Sequence, residues 1–266
     1  MAVLILMMEQ ISSEFILIHQ DLAISEKKFN MKVVLLISIL FVIQVPLLGQ
    51  EKKIEVKTIG IKDLPVGIKY NGNIIEVLSW NDRNGQNIFI SSSIGPIVKE
   101  QAYGEPTVKK QIFAEQYTIR DKKILLLWGD LFVESVCPMH VELDFIPNSI
   151  SITDLDNNGI TETTLVYKNV CRSDVSLADF VVQIHTSKSS FCLRGYTLIR
   201  VGKPYDTMDL TNYEFNLEKA LVEKAYTDEF AKLNGRYTDT KEFINTPPEF
   251  LNHSIEIWKK YVEEKF

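Results

Sequence analysis

The sequence predicts a mainly β fold of antiparallel sheets, arranged as a sandwich or as propeller-like hairpins, with C-terminal helices. Residues 54–201 consist of short apolar, β-branched runs separated at even spacing by polar turn residues, which is typical of antiparallel all-β proteins. Residues 213–264 change to helix-forming Glu, Lys, Ala and Leu. The chain has 266 residues, 45% of them hydrophobic, which is enough for one sizeable core. We therefore predict one domain over residues 50–266.

The amino-terminal segment is expected to direct export. Lys32 precedes an almost purely apolar run over residues 33–48, and a small residue follows the run. This order is typical of a secretory signal peptide, which we predict over residues 31–49. The alternative is a retained anchor, but a spanning helix needs about 20 apolar residues. Residues 1–30 are acidic, unlike the start of a signal peptide, and we interpret them as an extension from a wrongly assigned upstream start codon.

Export places the mature protein in the periplasm, on the outer-membrane surface or outside the cell. Contact with a membrane is then expected only through an uncleaved signal segment. The formal net charge is −6 and the chain has no basic run, so we expect no nucleic-acid partner.

Polar turns between the apolar runs predict the order of the β-hairpins. Asn71-Gly72 favours a type I′ turn, because both central residues of that turn need a positive φ. The other predicted turns lie at residues 81–85, residues 120–122, an oxygen-rich loop at 154–162, and residues 186–190. Each turn is flanked by runs long enough for a strand, so consecutive strands are expected to pair antiparallel.

Two helices are predicted near the C-terminus. The first covers residues 213–233 and stops before Gly235. The second covers residues 247–264 and starts with a capping box made of Thr246, Pro247 and Glu249. Its apolar residues recur at helical spacing in one stripe, made of Leu251, Ile255, Trp258 and Val262. This stripe must be buried against the sheet or against a partner.

The loop at 154–162 predicts a bound divalent cation. The pattern Asp-x-Asp-x-Asn-Gly-x-x-Glu places oxygen-bearing side chains at alternate positions, and its glycine permits a tight turn. A hard cation such as Ca²⁺ takes about six to eight oxygen ligands. The predicted ligands are the side chains of Asp154, Asp156, Asn158 and Glu162 and the backbone carbonyl of Ile160. Leu165 stands where an EF-hand needs its last glutamate, so an EF-hand is excluded.

A plain turn is the alternative for this loop, with Asp and Asn side chains bonded to their own backbone. A weak internal repeat bears on the choice: Asp82-Arg-Asn84-Gly85 resembles Asp156-Asn-Asn158-Gly159. Trp80 and Ile88 occupy the places that correspond to Asp154 and Glu162, so only the second copy could hold an ion. We predict one structural Ca²⁺ there.

A second group of candidate residues lies on one predicted strand. His140, Glu142 and Asp144 would share a face, since the side-chain period of a strand is two. A histidine with two carboxylates could bind a metal or transfer protons. The simpler interpretation is a solvated strand face, with Val141, Leu143 and Phe145 turned inward. We favour the simpler interpretation, because this alternation alone explains the residue types.

The chain has three cysteines, and export allows two of them to pair. Cys137 and Cys171 lie at the ends of segments, where a bridge fits easily, whereas Cys192 lies inside a buried strand pattern. We predict that Cys137 and Cys171 are paired and Cys192 is free; the alternative is three free thiols. The chain contains no Cys-x-x-Cys, phosphate-binding loop, nucleophile elbow or zinc-protease motif, so the common enzyme motifs are absent.

The oxygen-rich loop and its surroundings resemble known families. The loop alone is similar to those of FG-GAP-type hairpins, as in integrin propellers, in which an ion ties two strands together. Residues 153–168, with Cys137-Pro138 upstream and Arg194-Gly195 downstream, resemble an exported bacterial family labelled surface polysaccharide (lipopolysaccharide) biosynthesis protein. This resemblance covers residues 50–264. It implies a signal peptide, the acidic loop and a cysteine pair matching Cys137 and Cys171, but no catalytic residues.

Two functions are compatible with these observations. The first is a non-enzymatic exported protein of the cell envelope, holding structural Ca²⁺ and binding an envelope glycan or an envelope protein. The second is an enzyme that modifies envelope glycans with a carboxylate or histidine site that the motifs do not reveal. The first is favoured because the sequence names no converging acid–base pair.

Overall fold

Two antiparallel β-sheets pack face to face in the computed structural model of the chain, and the predicted mainly β fold with C-terminal helices is confirmed. The structure describes residues 54–100, 104–203, 205–223 and 228–264. The predicted extension at 1–30 and the signal peptide at 31–49 lie outside these described residues. Residues 54–266 form one compact unit by themselves.

The first sheet has five strands, ordered along the sheet as they are along the chain. These strands are β1 (Lys57–Thr58), β2 (Asn73–Asp82), β3 (Gly85–Lys99), β4 (Thr107–Arg120) and β5 (Lys123–Cys137). All four pairings are antiparallel, and β2, β3, β4 and β5 form a meander of long hairpins.

The second sheet has the order β10-β9-β8-β6, with β7 also paired to β8. Its strands are β6 (His140–Phe145), β7 (Ser151–Thr153), β8 (Glu162–Arg172), β9 (Asp179–His185) and β10 (Ser190–Tyr196). A short parallel pair, β11 (Leu198–Ile199) and β12 (Glu263–Glu264), ties the C-terminal segment to the end of β10. The α-helices are α1 (Leu217–Glu223), α2 (Glu229–Leu233) and α3 (Pro248–Tyr261), and short 3₁₀ turns lie at Ile61–Asp63, Tyr205–Thr207 and Lys241–Phe243.

Most of the predicted turns are found, but the one at Asn71-Gly72 is not a hairpin. Arg120 pairs with Lys123 across Asp121 and Lys122, which have φ of 51° and 61° as a type I′ turn requires. Gly72 has a φ of 64° for another reason. A Cβ there would lie 2.2 Å from the carbonyl oxygen of Ser93, so glycine is needed where the chain passes close to β3.

The predicted helix at 213–233 is in fact two short helices, α1 and α2, with residues 224–227 outside the described part of the chain. Residues 213–216 are not helical, because Phe215 is buried in the core and Asn216 forms a bridge with Tyr237. Gly235, with a φ of 76°, follows α2 closely, as predicted.

The helix predicted at 247–264 is α3, but it ends earlier, because Glu263 and Glu264 pair with β11, and the capping box is wrong. The hydroxyl of Thr246 donates to the carbonyl oxygen of Phe243, and Pro247 takes the N-cap position without a side-chain bond. The predicted stripe does face the core: Trp258 and Val262 are buried, and Leu251 and Ile255 pack against the same cluster.

Three apolar clusters hold these layers together. The first lies between α3 and the outer face of the second sheet and includes Phe180, Leu193 and Trp258. The second fills the space between the two sheets. The third lies on the outer face of the first sheet, where residues 59–74 cover Ile88 and Ile90. The loop at 154–162 lies beside the second cluster, so its strands are anchored in a packed core.

The predicted disulfide between Cys137 and Cys171 is present, with its Cα atoms 5.5 Å apart. It joins the end of β5 to β8 and therefore links the two sheets. Cys192 is free and buried, as predicted. Burial raises the pKa of its thiol to about 12, so this cysteine is an inert core residue. No helix in the described residues has the length and apolar character that crossing a membrane requires.

Candidate functional site: an acidic loop and a cleft between the sheets

The acidic loop connects β7 to β8, and the pairing of these two strands brings its ends together. Thr153 pairs with Glu162, so the residues between them form the turn of a hairpin. Carboxylate oxygens of Asp154, Asp156 and Glu162 lie within 4.8 Å of one another. Glu162 is only 2% exposed. The structure thus brings together the three carboxylates that the sequence predicted as ligands.

Hydrogen bonds within the loop show how its shape is maintained. Asp154 accepts from the N–H of Gly159 at 2.9 Å, Asp156 from that of Asn158 at 3.1 Å, and Glu162 from that of Leu155 at 2.8 Å. These are the bonds expected of a plain turn, which was the alternative interpretation. They leave acceptor capacity unused, because the second carboxylate oxygen of Asp154 is buried with no hydrogen-bond partner in the described part of the chain.

Asn158 and Ile160, the other two predicted ligands, take part in the same turn. The amide oxygen of Asn158 accepts from the N–H of Ile160 at 2.7 Å, and its amide nitrogen donates to Asp156 at 2.7 Å. In this conformation the Asn158 side chain supports the turn and holds the carboxylate of Asp156. The amide oxygen has a second lone pair, so it could contribute to a cation site while it accepts from Ile160.

Electrostatic repulsion characterises the loop. Burial, together with the charges of Asp156 and Asp154, raises the pKa of Glu162 to about 7, although the N–H of Leu155 works in the opposite direction. Among the described residues, no salt bridge joins these three carboxylates to a basic side chain. Arg83 lies beside the loop, but its guanidinium donates to the carbonyl oxygen of Asn158 at 3.3 Å. A cation would therefore relieve a repulsion that the protein leaves uncompensated.

The turn between β2 and β3 packs directly against this loop. Asp82 accepts from the N–H and the hydroxyl of Thr161, at 3.0 and 2.8 Å, and the indole of Trp80 donates to the same hydroxyl at 2.8 Å. The N–H of Arg83 donates to the carbonyl oxygen of Gly159 at 2.8 Å. Residues 80–83 thus fix the backbone on either side of Ile160. The sequence indicates that the turn between β2 and β3 resembles the acidic loop, but it does not predict that the two are in contact.

The strand face with His140, Glu142 and Asp144 follows the simpler interpretation. Buried and accessible residues alternate along β6, and the buried ones are Val141, Leu143 and Phe145, as expected. His140 is exposed, with its imidazole 4.0 Å from the carboxylate of Glu142. These three polar residues therefore lie on the surface face of the second sheet.

Both carboxylates on β6 are neutralised by ion pairs. Glu142 contacts Lys168 at 2.5 Å and Arg172 at 2.9 Å, and Asp144 contacts Lys110 at 2.8 Å. Burial works to raise the pKa of Glu142, but its hydrogen bonds with Lys168 and Arg172 prevail and hold it below the usual value. A carboxylate held in its ionised form by two cations is a poor proton donor, so an acid–base role here is not supported.

A cleft of about 550 Å³ opens between β5 and the facing residues of the second sheet. It was not predicted from the sequence, because its walls come from strands far apart in the chain. Its lining includes Phe132, Tyr167, Asn169, Asp179, Arg194 and Thr238. The rings of Phe132 and Tyr167 lie 4.1 Å apart at 33°. Burial, and next the charge of Glu134, raise the pKa of Asp179 at the mouth of the cleft.

His185, which has no ligand-like spacing in the sequence, belongs to a buried polar group between the sheets. Its imidazole stacks on Trp128 at 3.8 Å and lies 2.8 Å from both Asp130 and the amide of Gln183. His185 is only 4% exposed. Gln183 and His185 are two residues apart on β9, which indicates that they share a face. Their partner Asp130, however, comes from β5, which is distant in the chain. The group ties the sheets together, with the imidazole buried and the carboxylate of Asp130 partly exposed.

No family model, curated protein or solved structure matches this chain. The resemblance to the surface polysaccharide family therefore stays an expectation. What the protein does is argued below from the acidic loop and the cleft.

Proposed function

We propose that this chain is an exported, non-catalytic protein of the cell envelope that is stabilised by one Ca²⁺ ion in the loop at 154–162. The observation that carries the proposal is the convergence of Asp154, Asp156 and Glu162 within 4.8 Å, with no salt-bridge partner for them among the described residues. Glu162 is buried, whereas Asp154 is partly buried and Asp156 exposed, and a buried charge is normally paired or coordinates a metal.

The chemistry of the loop favours Ca²⁺ over other cations. All the candidate ligands are oxygens, which suit hard cations, and no cysteine or histidine belongs to the group. Ca²⁺ accepts many protein oxygens in a flexible arrangement, whereas Mg²⁺ keeps several waters and is bound by only one or two carboxylates. Asp154, Asp156 and Glu162 would hold the ion, and the side chain of Asn158 and the carbonyl of Ile160 would complete its shell.

Export is supported by the disulfide between Cys137 and Cys171, since such bonds persist mainly in oxidising compartments. The predicted signal peptide at 31–49 points in the same direction. The association with surface polysaccharide or lipopolysaccharide biosynthesis, and a partner that is an envelope glycan or an envelope protein, rest on the family resemblance. Deletion of the gene followed by profiling of surface glycans tests that association, and an unchanged glycan profile would count against it.

Calorimetry and thermal unfolding of the exported protein test the Ca²⁺ site. We expect one Ca²⁺ per chain and a midpoint that rises with Ca²⁺ and falls with EGTA, because a ligand that binds only the folded state stabilises it. Asp156→Asn should weaken binding, since it removes one charged ligand. Glu256→Gln, on the exposed side of α3, is the matched control and should bind as the parent does. An unchanged midpoint in millimolar Ca²⁺ would refute the proposal.

A glycan-modifying enzyme is the second candidate, and one observation favours it. Asp179 and Glu134 both lie close to Asn169, and the pKa of Asp179 is raised by burial and by Glu134. Two neighbouring carboxyl groups, one of them with a raised pKa, are the arrangement used in glycoside hydrolysis. New reducing ends formed from surface polysaccharide by the parent, and abolished in Asp179→Asn, would establish it. The non-catalytic proposal has priority because the acid–base residues considered on β6 are ion-paired.

A further inference from the structure

We propose that the cleft between β5 and the second sheet binds an uncharged, hydroxyl-bearing ring ligand, that is, a sugar unit of a glycan. The contacts are the aromatic side chains of Phe132 and Tyr167, the hydroxyl of Tyr167 and the polar groups of Asn169, Asp179 and Arg194. The inference rests on the proposed function and specifies its partner as a glycan. It uses a different place on the molecule from the Ca²⁺ loop.

The cleft is held open by fixed contacts on both sides. Along β5, the Trp128 ring that stacks on His185 precedes the cleft, and Cys137, bonded to Cys171, follows it. Between these two ties the cleft holds about 550 Å³, within the usual range of small-molecule sites, and Phe132 and Tyr167 still contact each other across the sheets there. A cavity bounded by a ring stack and a disulfide is largely preformed, which reduces the ordering cost of binding.

One unused hydrogen-bond acceptor lies at the floor of the cleft. The amide oxygen of Asn169 is buried with no partner among the described residues, while its nitrogen donates to Glu134 at 3.4 Å. Exchanging the two amide atoms would set an oxygen against a carboxylate, so the orientation is fixed by Glu134. That bond is long and the last torsion of Asn is broad, so a small turn presents the oxygen to a ligand hydroxyl.

The mixture of polar groups favours hydroxyls over ions. Asp179 offers an acceptor, and the guanidinium of Arg194, which donates to Glu242, offers further N–H groups. An anionic ligand would meet Asp179 and Glu134, and the charge of Arg194 is already shared with Glu242. A hydroxyl both donates and accepts, so it can donate to Asn169 or Asp179 and accept from Arg194.

The apolar part of the lining suits the ring of a sugar. Phe132 and Tyr167 pack on each other, with their ring centres 4.1 Å apart at 33°, and this pair is the aromatic wall of the cleft. The C–H face of a pyranose is apolar and packs on such a wall, while its hydroxyls reach the polar rim. An aliphatic amine is the competing ligand, because the two carboxylates would attract it, but it would leave the aromatic wall and Arg194 unused.

Saturation-transfer NMR on the exported protein tests the inference. The probes are glucose, galactose, mannose, rhamnose and N-acetylglucosamine at millimolar concentration, with putrescine as the amine. We expect transfer to at least one sugar, and a dissociation constant at least about tenfold weaker in Asp179→Asn and in Tyr167→Phe, the loss that about 1.4 kcal/mol produces. Tyr167→Phe keeps the aromatic wall and removes only the hydroxyl, so a lost signal cannot be ascribed to unfolding.

Two further variants separate this inference from the Ca²⁺ proposal. Asp156→Asn should lose Ca²⁺ binding and keep sugar binding, and Glu256→Gln should keep both. Absence of transfer to every sugar, transfer to putrescine alone, or equal sugar affinity in the parent, Asp179→Asn and Tyr167→Phe would each overturn the sugar site. Ca²⁺ binding by the parent would survive any of these results, so the two failures are distinguishable.

Discussion

Replacing Glu162 by Gln should change stability in opposite directions with and without Ca²⁺. In the metal-free protein, Glu162 is almost fully buried beside two aspartates, and its pKa rises from 4.5 to about 7. At about 1.4 kcal/mol per pH unit, ionising it in the folded chain costs about 3 kcal/mol. Glutamine keeps the shape and can still accept from the N–H of Leu155, but it carries no charge.

The sign of the pH dependence follows from this raised pKa. Between pH 4.5 and about 7 the folded state holds the Glu162 proton more tightly than the unfolded state does. The stability of the metal-free parent therefore falls as pH rises through this window and is lowest above it. Glu162→Gln has no proton to lose, so in EGTA at pH 8 it should be more stable than the parent, by up to about 3 kcal/mol.

Calcium should reverse the order of the two proteins. The parent gains about 4.1 kcal/mol when free Ca²⁺ is a thousandfold above its dissociation constant, which exceeds the cost of ionising Glu162, whereas the variant has lost a charged ligand and gains little. Thermal unfolding in EGTA and in Ca²⁺, at pH 5 and pH 8, measures all of these differences, at about 2–4 °C per kcal/mol for a domain of this size. A variant less stable than the parent in EGTA at pH 8 would refute the repulsion argument.

Three other substitutions test how the fold is held together. Cys137→Ser with Cys171→Ser should lower the unfolding free energy in urea by about 3–4 kcal/mol, since the bridge spans 34 residues, and an unchanged value would contradict this. Arg172→Met should cost about 3–5 kcal/mol, because it leaves the Glu142–Glu264 pair short of positive charge, whereas Lys241→Met at an exposed ion pair should leave the stability nearly unchanged. Thr161→Val should cost about 1–3 kcal/mol and weaken Ca²⁺ binding, since the buried indole N–H of Trp80 loses its hydrogen-bond acceptor. An unchanged Ca²⁺ affinity would show that the β2–β3 turn does not support the site.

The features that the sequence predicted well depend on residues close together in the chain. The turn at Asp121-Lys122 and the hairpin around the acidic loop need only a few neighbouring residues to form. The alternation in β6 likewise placed Val141 and Leu143 inside, because a strand with one buried face imposes a period of two. The disulfide is an exception, because Cys137 and Cys171 lie 34 residues apart, and its prediction depended on their places at segment ends while Cys192 lies inside a strand.

The features that were missed depend on contacts between distant segments. The sequence predicted Gly72 to be a hairpin glycine, but glycine is required there because the chain passes close to Ser93. The cleft and the polar group around His185 need β5 to face β9, and no local pattern specifies that pairing. The hydroxyl of Thr246 could cap a helix, but it donates to the carbonyl oxygen of Phe243 in the preceding turn instead.

The internal similarity between residues 82–85 and 156–159 is explained by local chemistry and then by contact. In both segments an aspartate accepts from the N–H two residues later: Asp82 from Asn84 at 2.7 Å, and Asp156 from Asn158 at 3.1 Å. This is the turn that Asp and Asn favour wherever they occur, so it requires no duplication of the chain. The two turns nevertheless differ in whether their carboxylate oxygens still lack a hydrogen-bond partner.

Asp82 uses both of its oxygens within the protein, one for Asn84 and the other for Thr161. Asp154 keeps a buried oxygen without a partner in the described chain, and it stands within 4.8 Å of two further carboxylates. The carboxylate of the first turn is therefore fully used within the protein, whereas the repulsion in the second would be relieved by a proton on Glu162 or by a bound cation. Asp82 accepts two hydrogen bonds from Thr161, which lies between Ile160 and Glu162. An ion bound by the second turn should therefore also stabilise the first turn, and with it the contact between the two sheets.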